Sequence, residues 1–231
     1  MTGFLVSVKN IIEARIAMES DADIIDLKDP ASGALGGLPI AEISQIVAMV
    51  NGRKVVSATI GDLIMDPELI RTKVLEVAST GVDIVKVGFF DNKQNNACVL
   101  ALKSLADDGI KIVAVLVADQ NPDFSLLKSM SDAGFYGVML DTATKNGRSL
   151  PDYVSMARMH EFVTSCHSFG MISGLAGSLA ECHVEGLISL NSDYLGFRGG
   201  LCVNSQRTAE LCPQKIKAIS VTLQKCNTCL L

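Results

Sequence analysis

Short runs rich in β-branched residues alternate along the whole chain with longer amphipathic segments, and this alternation constrains the fold more than any other feature. One short run followed by one amphipathic segment is typical of a βα unit that adds a strand to a parallel sheet. Eight candidate strands lie at residues 4–8, 23–28, 54–59, 83–88, 111–117, 135–141, 171–176 and 193–197. Eight candidate helices lie at residues 10–20, 39–51, 66–80, 92–107, 123–133, 152–168, 179–186 and 207–225.

This pattern predicts a single α/β domain that spans residues 1–231. No linker, low-complexity tract or change of composition interrupts it, and 231 residues with 48% hydrophobic content suffice for one large core. Eight βα units in one domain close most simply into a (β/α)8 TIM barrel. An open doubly wound sheet is the alternative, but the first strand–helix joint, at residues 7–10, lacks the GxGxxG pattern of dinucleotide-binding folds. We expect the C-terminal end to be frayed from about residue 226.

The composition favours a small molecule as the partner. The formal net charge is -5 and no basic run carries interleaved aromatic residues, so a nucleic acid is not predicted as a partner. The longest apolar stretches, of about six to eight residues, are too short to span a bilayer, and the N-terminus lacks the pattern of a signal peptide. We therefore predict a cytoplasmic protein without a membrane segment. A homo-oligomer remains an open alternative to a monomer.

Neither a metal nor another cofactor is predicted from the seven cysteines and three histidines. Most of the cysteines are scattered without a short repeating spacing, which indicates reduced thiols. Cys226 and Cys229 form one CxxC pair, but a structural zinc site would need a second pair of ligands. The histidines fall in segments that are predicted as helices, and none has metal-ligand spacing to a second ligand at a strand end.

Lys28, at the end of the second candidate strand, is the residue that we predict as a reactive amine. Strand residues two apart share a face, so Ile24, Asp26 and Lys28 point to one side of the strand. An ammonium at the end of a buried run is costly unless it is paired or neutral, and a neutral lysine is a nucleophile. The alternative is a strand-end salt bridge with Asp26 or Asp29.

Charged residues also mark the other even-numbered strands: Lys86 in strand four, Asp141 at the end of strand six and Arg198 at the end of strand eight. Alternate strands of a TIM barrel contribute one layer of inward side chains, so we expect these groups and Lys28 to meet at the C-terminal mouth, where active sites lie. Repulsion between two ammonium groups favours the neutral form of one amine, and such a pair suits Schiff-base chemistry on a carbonyl compound. The alternative is a structural network of lysines and aspartates.

The loops that follow strands six, seven and eight are candidates for an anion site. Lys145 lies on the loop after strand six, and the loops after strands seven and eight commonly bind phosphate in this fold. In that interpretation the start of the short seventh helix would contribute, whereas plain turn glycines are the alternative. The loop at residues 31–37 is predicted to be either a lid over Lys28 or a long turn. The candidate phosphate-binding residues are Gly177, Ser178, Arg198, Gly199 and Gly200.

Six ordered motifs resemble one enzyme family over nearly the whole chain. They read DIIDLKDP at residues 23–30, SATIGD at 57–62, DIVKVG at 83–88, MLDTATKNG at 139–147, LAGS at 175–178 and GFRG at 196–199. Together they resemble (5-formylfuran-3-yl)methyl phosphate synthase, the furan-forming enzyme of methanofuran biosynthesis.

The resemblance implies a (β/α)8 lyase that needs no metal or redox cofactor. Such an enzyme condenses two molecules of glyceraldehyde 3-phosphate into (5-formylfuran-3-yl)methyl phosphate, also called 4-(hydroxymethyl)-2-furancarboxaldehyde phosphate, with loss of phosphate and water. The family's Schiff-base lysine matches Lys28, its proton-transferring lysine matches Lys86, and its supporting residues match Asp26, Asp141 and Lys145. Two alternatives stay open: a class I aldolase acting on other sugar phosphates, and a non-catalytic phosphate-binding barrel.

Overall fold

The computed structural model of the chain describes residues 1–90, 93–144 and 146–229. Eight parallel strands pair in chain order, and the last pairs with the first, so the sheet closes into a barrel. The (β/α)8 barrel predicted from the sequence is therefore confirmed. The strands are β1 (Gly3–Val8), β2 (Ile24–Leu27), β3 (Val55–Thr59), β4 (Ile84–Phe89), β5 (Ile112–Val117), β6 (Gly137–Asp141), β7 (Ile172–Leu175) and β8 (Tyr194–Phe197).

Helices connect the strands on the outside of the barrel, and several begin where the sequence offers a side-chain cap. Asn10 accepts a hydrogen bond from the N–H of Glu13, and Asp66 accepts one from the N–H of Leu69. Within the described residues the α-helices are α1 (Ile11–Met18), α2 (Ile40–Val50), α3 (Pro67–Ala78), α4 (Asn95–Asp107), α5 (Leu126–Asp132), α6 (Leu150–Tyr153), α7 (Met156–Ser168), α8 (Val184–Ile188) and α9 (Pro213–Cys229).

Alternating side chains of the strands build two separate apolar layers. Side chains such as Leu5, Ile84 and Met139 point into the barrel and form its inner core below the C-terminal mouth. Their neighbours, such as Val6 and Val85, point outward and pack against the helices. Both faces of each strand are thus covered, as a closed parallel sheet requires.

Several predicted helices have different bounds in the structure. The segment predicted at residues 152–168 is split into α6 and α7, because Val154 is extended and Ser155 caps a new helix by accepting from the N–H of Arg158. The last helix begins at Pro213 rather than at residue 207, since the carbonyls of Arg207 and Ala209 accept hydrogen bonds from a guanidinium and cannot join a helix. The predicted start of α4 at Asn92 lies outside the described residues.

The last described residues, up to Cys229, are helical, and because residues 230 and 231 lie outside the described ranges, fraying of the C-terminus stays a prediction. Helix α9 continues to Cys229, and Cys226 packs against the outer core. The side chain of Asn227 accepts a hydrogen bond from the N–H of Thr2 at 2.9 Å and donates one to its carbonyl at 2.9 Å. These two bonds fix the last turns of α9 to the start of β1. In the described ranges, no helix has the length and apolar character needed to cross a membrane.

Candidate active site

Asp26 lies at the centre of the site, fully buried inside the barrel on β2. Strand register places it beside Ser7 of β1 and Ser57 of β3. Its carboxylate accepts hydrogen bonds from Ser7 Oγ at 2.9 Å, from Ser57 Oγ at 2.7 Å and from Lys86 Nζ at 2.9 Å. One carboxylate on β2 therefore connects side chains from β1, β3 and β4.

The charge state of Asp26 follows from these contacts. Burial acts to raise the pKa of its carboxyl, but the charges of Lys86 and Lys28 and the hydrogen bonds from Ser57 and Lys86 outweigh that effect. The pKa of Asp26 consequently lies below its ordinary value of 3.8, and the group is ionised at neutral pH. Lys86, almost fully buried on β4, has in Asp26 the counter-charge that makes its burial tolerable.

Lys28 is held more loosely than Lys86. It follows the last residue of β2, and its backbone N–H donates to the carbonyl of Val8 at 3.0 Å. Its Nζ lies 3.4 Å from Oδ2 of Asp141, which is longer than the ~2.7–2.9 Å of a close charge-assisted hydrogen bond. Asp141 ends β6, and its other oxygen accepts from the N–H of Thr142 at 2.7 Å. The site therefore contains one tightly anchored lysine and one lysine with room to move.

A cavity of about 390 Å³ opens above these four side chains at the C-terminal ends of the strands. Its size falls at the lower end of the ~300–1,000 Å³ typical of small-molecule sites. Leu5 and Met139 of the inner core also line it, together with the loops after β7 and β8. The four groups expected to meet at the barrel mouth all line this cavity: Lys28, Lys86, Asp141 and Arg198.

The loops after β7 and β8 line one side of the cavity and pack tightly together. Gly177 has φ +115°, a conformation that side-chain-bearing residues rarely adopt, and Ser178 has φ +50°. A Cβ on Gly200 would lie 2.3 Å from the carbonyl oxygen of Leu179, so only glycine permits this contact between the loops. The expected helix start at Gly177 and Ser178 is absent, since the helical turn begins at Glu181, where the N–H of Ala180 donates to His183.

Arg198 requires a correction to its predicted role. Its guanidinium donates to both carboxylate oxygens of Glu13, one at 3.2 Å, and to the carbonyl of Ser7 at 3.1 Å. It also donates to the carbonyls of Arg207 and Ala209, at 2.7 and 2.9 Å. These bonds use all five N–H groups of an arginine, so none is left for a phosphate. Arg198 instead holds the loop after β8 against α1.

Arg207, a partly buried residue of the same loop, also lines the cavity and was not predicted from the sequence. Its Nη2 donates to the carbonyl of Gly33 at 2.6 Å, across the cavity mouth on the loop after β2. This stretch has no strand periodicity. Arg207 was predicted to begin a helix at residues 207–225, so it was not expected to line the cavity. Its only sequence signal is a basic residue shortly after the GFRGG turn. The predicted Lys145 lies outside the described residues.

Within the described part of the chain, no group of three or more histidine, cysteine, aspartate or glutamate side chains could hold a metal ion. The polar side chains that line the cavity are instead two lysines, two arginines, two carboxylates and several serine hydroxyls. This arrangement suits amine and proton-transfer chemistry on an anionic carbonyl compound. The fold and the site together define a (β/α)8 barrel protein with a paired-lysine pocket at its C-terminal mouth.

The chain belongs to the 4-HFC-P synthase family, whose model matches residues 4–220. A Methylorubrum extorquens protein is 40% identical over 209 residues, covering 90% of this chain and 85% of that protein. Its provisional name is (5-formylfuran-3-yl)methyl phosphate synthase. The (5-formylfuran-3-yl)methyl phosphate synthase of Methanothermobacter thermautotrophicus is 32% identical over 214 residues, covering 88% of this chain and 90% of its own. The family resemblance seen in the motifs is thereby confirmed.

Solved structures with low identity share the fold. Phosphoribosyl anthranilate isomerase from Thermus thermophilus aligns with a TM-score of 0.69 and 12% identity, covering 97% of this chain and 99% of its own. The 3-hexulose-6-phosphate synthase of Salmonella typhimurium aligns with a TM-score of 0.65 and 18% identity, also over 97% and 99%. At these identities the similarity supports the barrel alone.

Proposed function

We propose that this protein is a furan-forming lyase of methanofuran biosynthesis that converts two molecules of glyceraldehyde 3-phosphate into (5-formylfuran-3-yl)methyl phosphate. The observation that carries the proposal is the pair of buried lysines, each beside its own carboxylate, in the pocket of a chain that belongs to this synthase family. Formation of the furan from two trioses releases one phosphate and two waters. No net oxidation occurs, so no redox partner is required.

Lys28 is the proposed nucleophile. Asp141, 3.4 Å away, accepts the proton that the ammonium must lose before the amine attacks the carbonyl of one triose phosphate. Loss of water then gives an imine, which withdraws electrons and makes the adjacent carbon acidic. The loose geometry of Lys28 suits this role because its Nζ must move to the carbonyl carbon.

Lys86 is the proposed proton carrier. Its hydrogen bond to Asp26 fixes Nζ in the cavity wall, and the carboxylate stabilises the ammonium form whenever the amine has taken a proton. Lys86 removes the proton beside the imine, and the resulting enamine attacks the aldehyde of the second triose. Elimination of phosphate, ring closure with loss of water, and hydrolysis of the imine complete the sequence.

Replacing Lys28 tests the proposal directly. With glyceraldehyde 3-phosphate and borohydride, the wild-type protein should gain a reduced adduct on the peptide that contains Lys28, and an unreduced sample should gain the ultraviolet absorbance of a furan aldehyde. Lys28→Arg keeps the positive charge but cannot form a stable imine, so turnover should fall by at least about 10³-fold with no adduct. The measurements are peptide mass spectrometry and absorbance.

Lys103→Arg, an exposed lysine on α4, is the matched control and should behave as the wild type. Turnover of Lys28→Arg within tenfold of the wild type would contradict the assignment. An adduct without a furan chromophore would indicate a class I aldolase, and reversible binding without any adduct would indicate a non-catalytic phosphate-binding barrel.

A further inference from the structure

Arg207 is a cation at the mouth of the cavity that forms no salt bridge within the described residues. By contrast, Lys28, Lys86 and Arg198 each have a carboxylate within 4 Å, namely Asp141, Asp26 and Glu13. Each of those three pairs is close to neutral and leaves little net positive charge for an incoming anion. Arg207 retains its charge without such a partner.

The surroundings of Arg207 make an unpaired guanidinium costly. Burial lowers its pKa, and the attraction of Asp141 and Asp62 acts in the opposite direction from beyond salt-bridge distance. The hydrogen bonds that its side chain forms within the described ranges all come from Nη2 and go to the carbonyls of Gly33 and, at 3.5 Å, Ala34. Among the described residues, Nε and Nη1 therefore have no acceptor.

The loop that accepts from Arg207 is itself held in place. Asp62, on the loop after β3, accepts from the N–H of Ala34 at 2.7 Å and from the N–H of Leu35 at 2.8 Å. These two hydrogen bonds fix the loop after β2 and thereby the position of the Gly33 carbonyl that accepts from Arg207. The resulting bridge from the loop after β8 to the loop after β2 holds the guanidinium over the cavity.

We propose that Arg207 binds the phosphate group of one of the two triose phosphate molecules, at a subsite separate from the loop after β7. This inference rests on the proposed function, because that reaction brings two phosphate groups into one cavity. The sequence predicts backbone contacts from the loop after β7 for one phosphate, whereas the second needs a cation that is not already paired. A planar guanidinium whose Nε and Nη1 together have three spare N–H groups matches phosphate geometry.

Equilibrium binding in the inactive Lys28→Ala background tests the inference, because no turnover obscures the measurement. Calorimetric titration with glyceraldehyde 3-phosphate should show two molecules bound per chain. Adding Arg207→Gln should weaken one of them by about 10- to 100-fold, the effect of one charge-assisted contact to phosphate. Arg207→Lys should weaken it less, and Arg15→Gln, an exposed arginine on α1, should leave both unchanged.

Titration with glyceraldehyde, which lacks the phosphate, separates phosphate binding from a structural role of the Gly33 bridge. Arg207→Gln should leave glyceraldehyde binding unchanged. Equal weakening of both ligands, or no change for glyceraldehyde 3-phosphate in a variant whose melting temperature is retained, would overturn the inference. If the wild type makes no furan but the phosphate-dependent effect of Arg207 persists, the proposed function fails and the subsite stands.

Discussion

At the scale of single residues, the Asp26 carboxylate connects Lys86 to the hydroxyls of Ser7 and Ser57. The period of two along β2 placed Asp26 and Lys28 on one face. The partners Ser7 and Ser57 could not be derived, because cross-strand register is set by the closed sheet rather than by either segment. Arg198 was predicted to bind phosphate because no local pattern reveals its partner Glu13, which lies 185 residues away in the chain.

Asp26 should link the stability of the barrel to pH. Its pKa is lower folded than unfolded, so its stabilising contribution is fully present above the ordinary value of 3.8 and is lost as the pH falls through the lowered folded value. Asp26→Asn should cost roughly 3–5 kcal/mol at pH 7, the typical effect of removing one partner of a buried ion pair. The Asp26→Asn variant lacks the carboxylate that takes up the linked proton, so its free energy of unfolding should fall less than that of the wild type between pH 5 and pH 2.

Denaturant unfolding over that pH range checks this expectation. Asp107→Asn removes an exposed carboxylate that pairs with Lys103 on α4, and it should change the free energy of unfolding by less than about 1 kcal/mol. A pH dependence of Asp26→Asn identical to that of the wild type would show that the carboxylate is not the linked group.

At the scale of elements, strands and caps were predictable from local pattern, whereas helix bounds set by distant contacts were not. All eight strands appear where β-branched runs predicted them. The last helix starts late because the guanidinium of Arg198 takes two backbone carbonyls ahead of Pro213. The contact between the loops after β7 and β8 also has no local signal, since Gly200 reads simply as a turn glycine.

Gly200→Ala should separate those two loops. The added Cβ would clash with the carbonyl oxygen of Leu179, and relieving the clash would require a shift of the backbone. The free energy of unfolding should therefore fall by about 1–3 kcal/mol. Binding of glyceraldehyde 3-phosphate should weaken as well. Gly186→Ala is the matched control, because an added Cβ there meets nothing within 4 Å and the helix α8 should be unchanged or slightly more stable. Thermal unfolding and calorimetry measure both effects.

At the scale of the whole molecule, the count of eight βα units was enough to predict closure. A parallel sheet buried on both faces has few alternatives, and the two apolar layers follow from the alternation of side chains along each strand. The cavity and the convergence of the lysines are consequences of that closure, so they were predictable once the barrel was. The bridge from Arg207 to Gly33 was not, because both partners lie in irregular loops.

The layered packing predicts which of the seven free cysteines react in the folded protein. Cys182 and Cys229 are exposed and should react first with a disulfide reagent at pH 8. Burial raises the pKa of the Cys166 thiol to about 12, with a smaller contribution from the charge of Asp193, so it should stay protected until the protein unfolds. Cys98 and Cys202 are buried and should be protected likewise. Fast labelling of Cys166 would contradict this packing.

The four-strand cluster around Asp26 has a consequence for how such a protein can change over generations or in the laboratory. The groups that hold the proposed proton carrier in place also fasten β1, β2, β3 and β4 to one another. Altering the reaction by moving the lysine pair to other strands would therefore loosen half of the barrel wall. New specificities are more accessible through the loops at the rim, which can vary without disturbing this shared carboxylate.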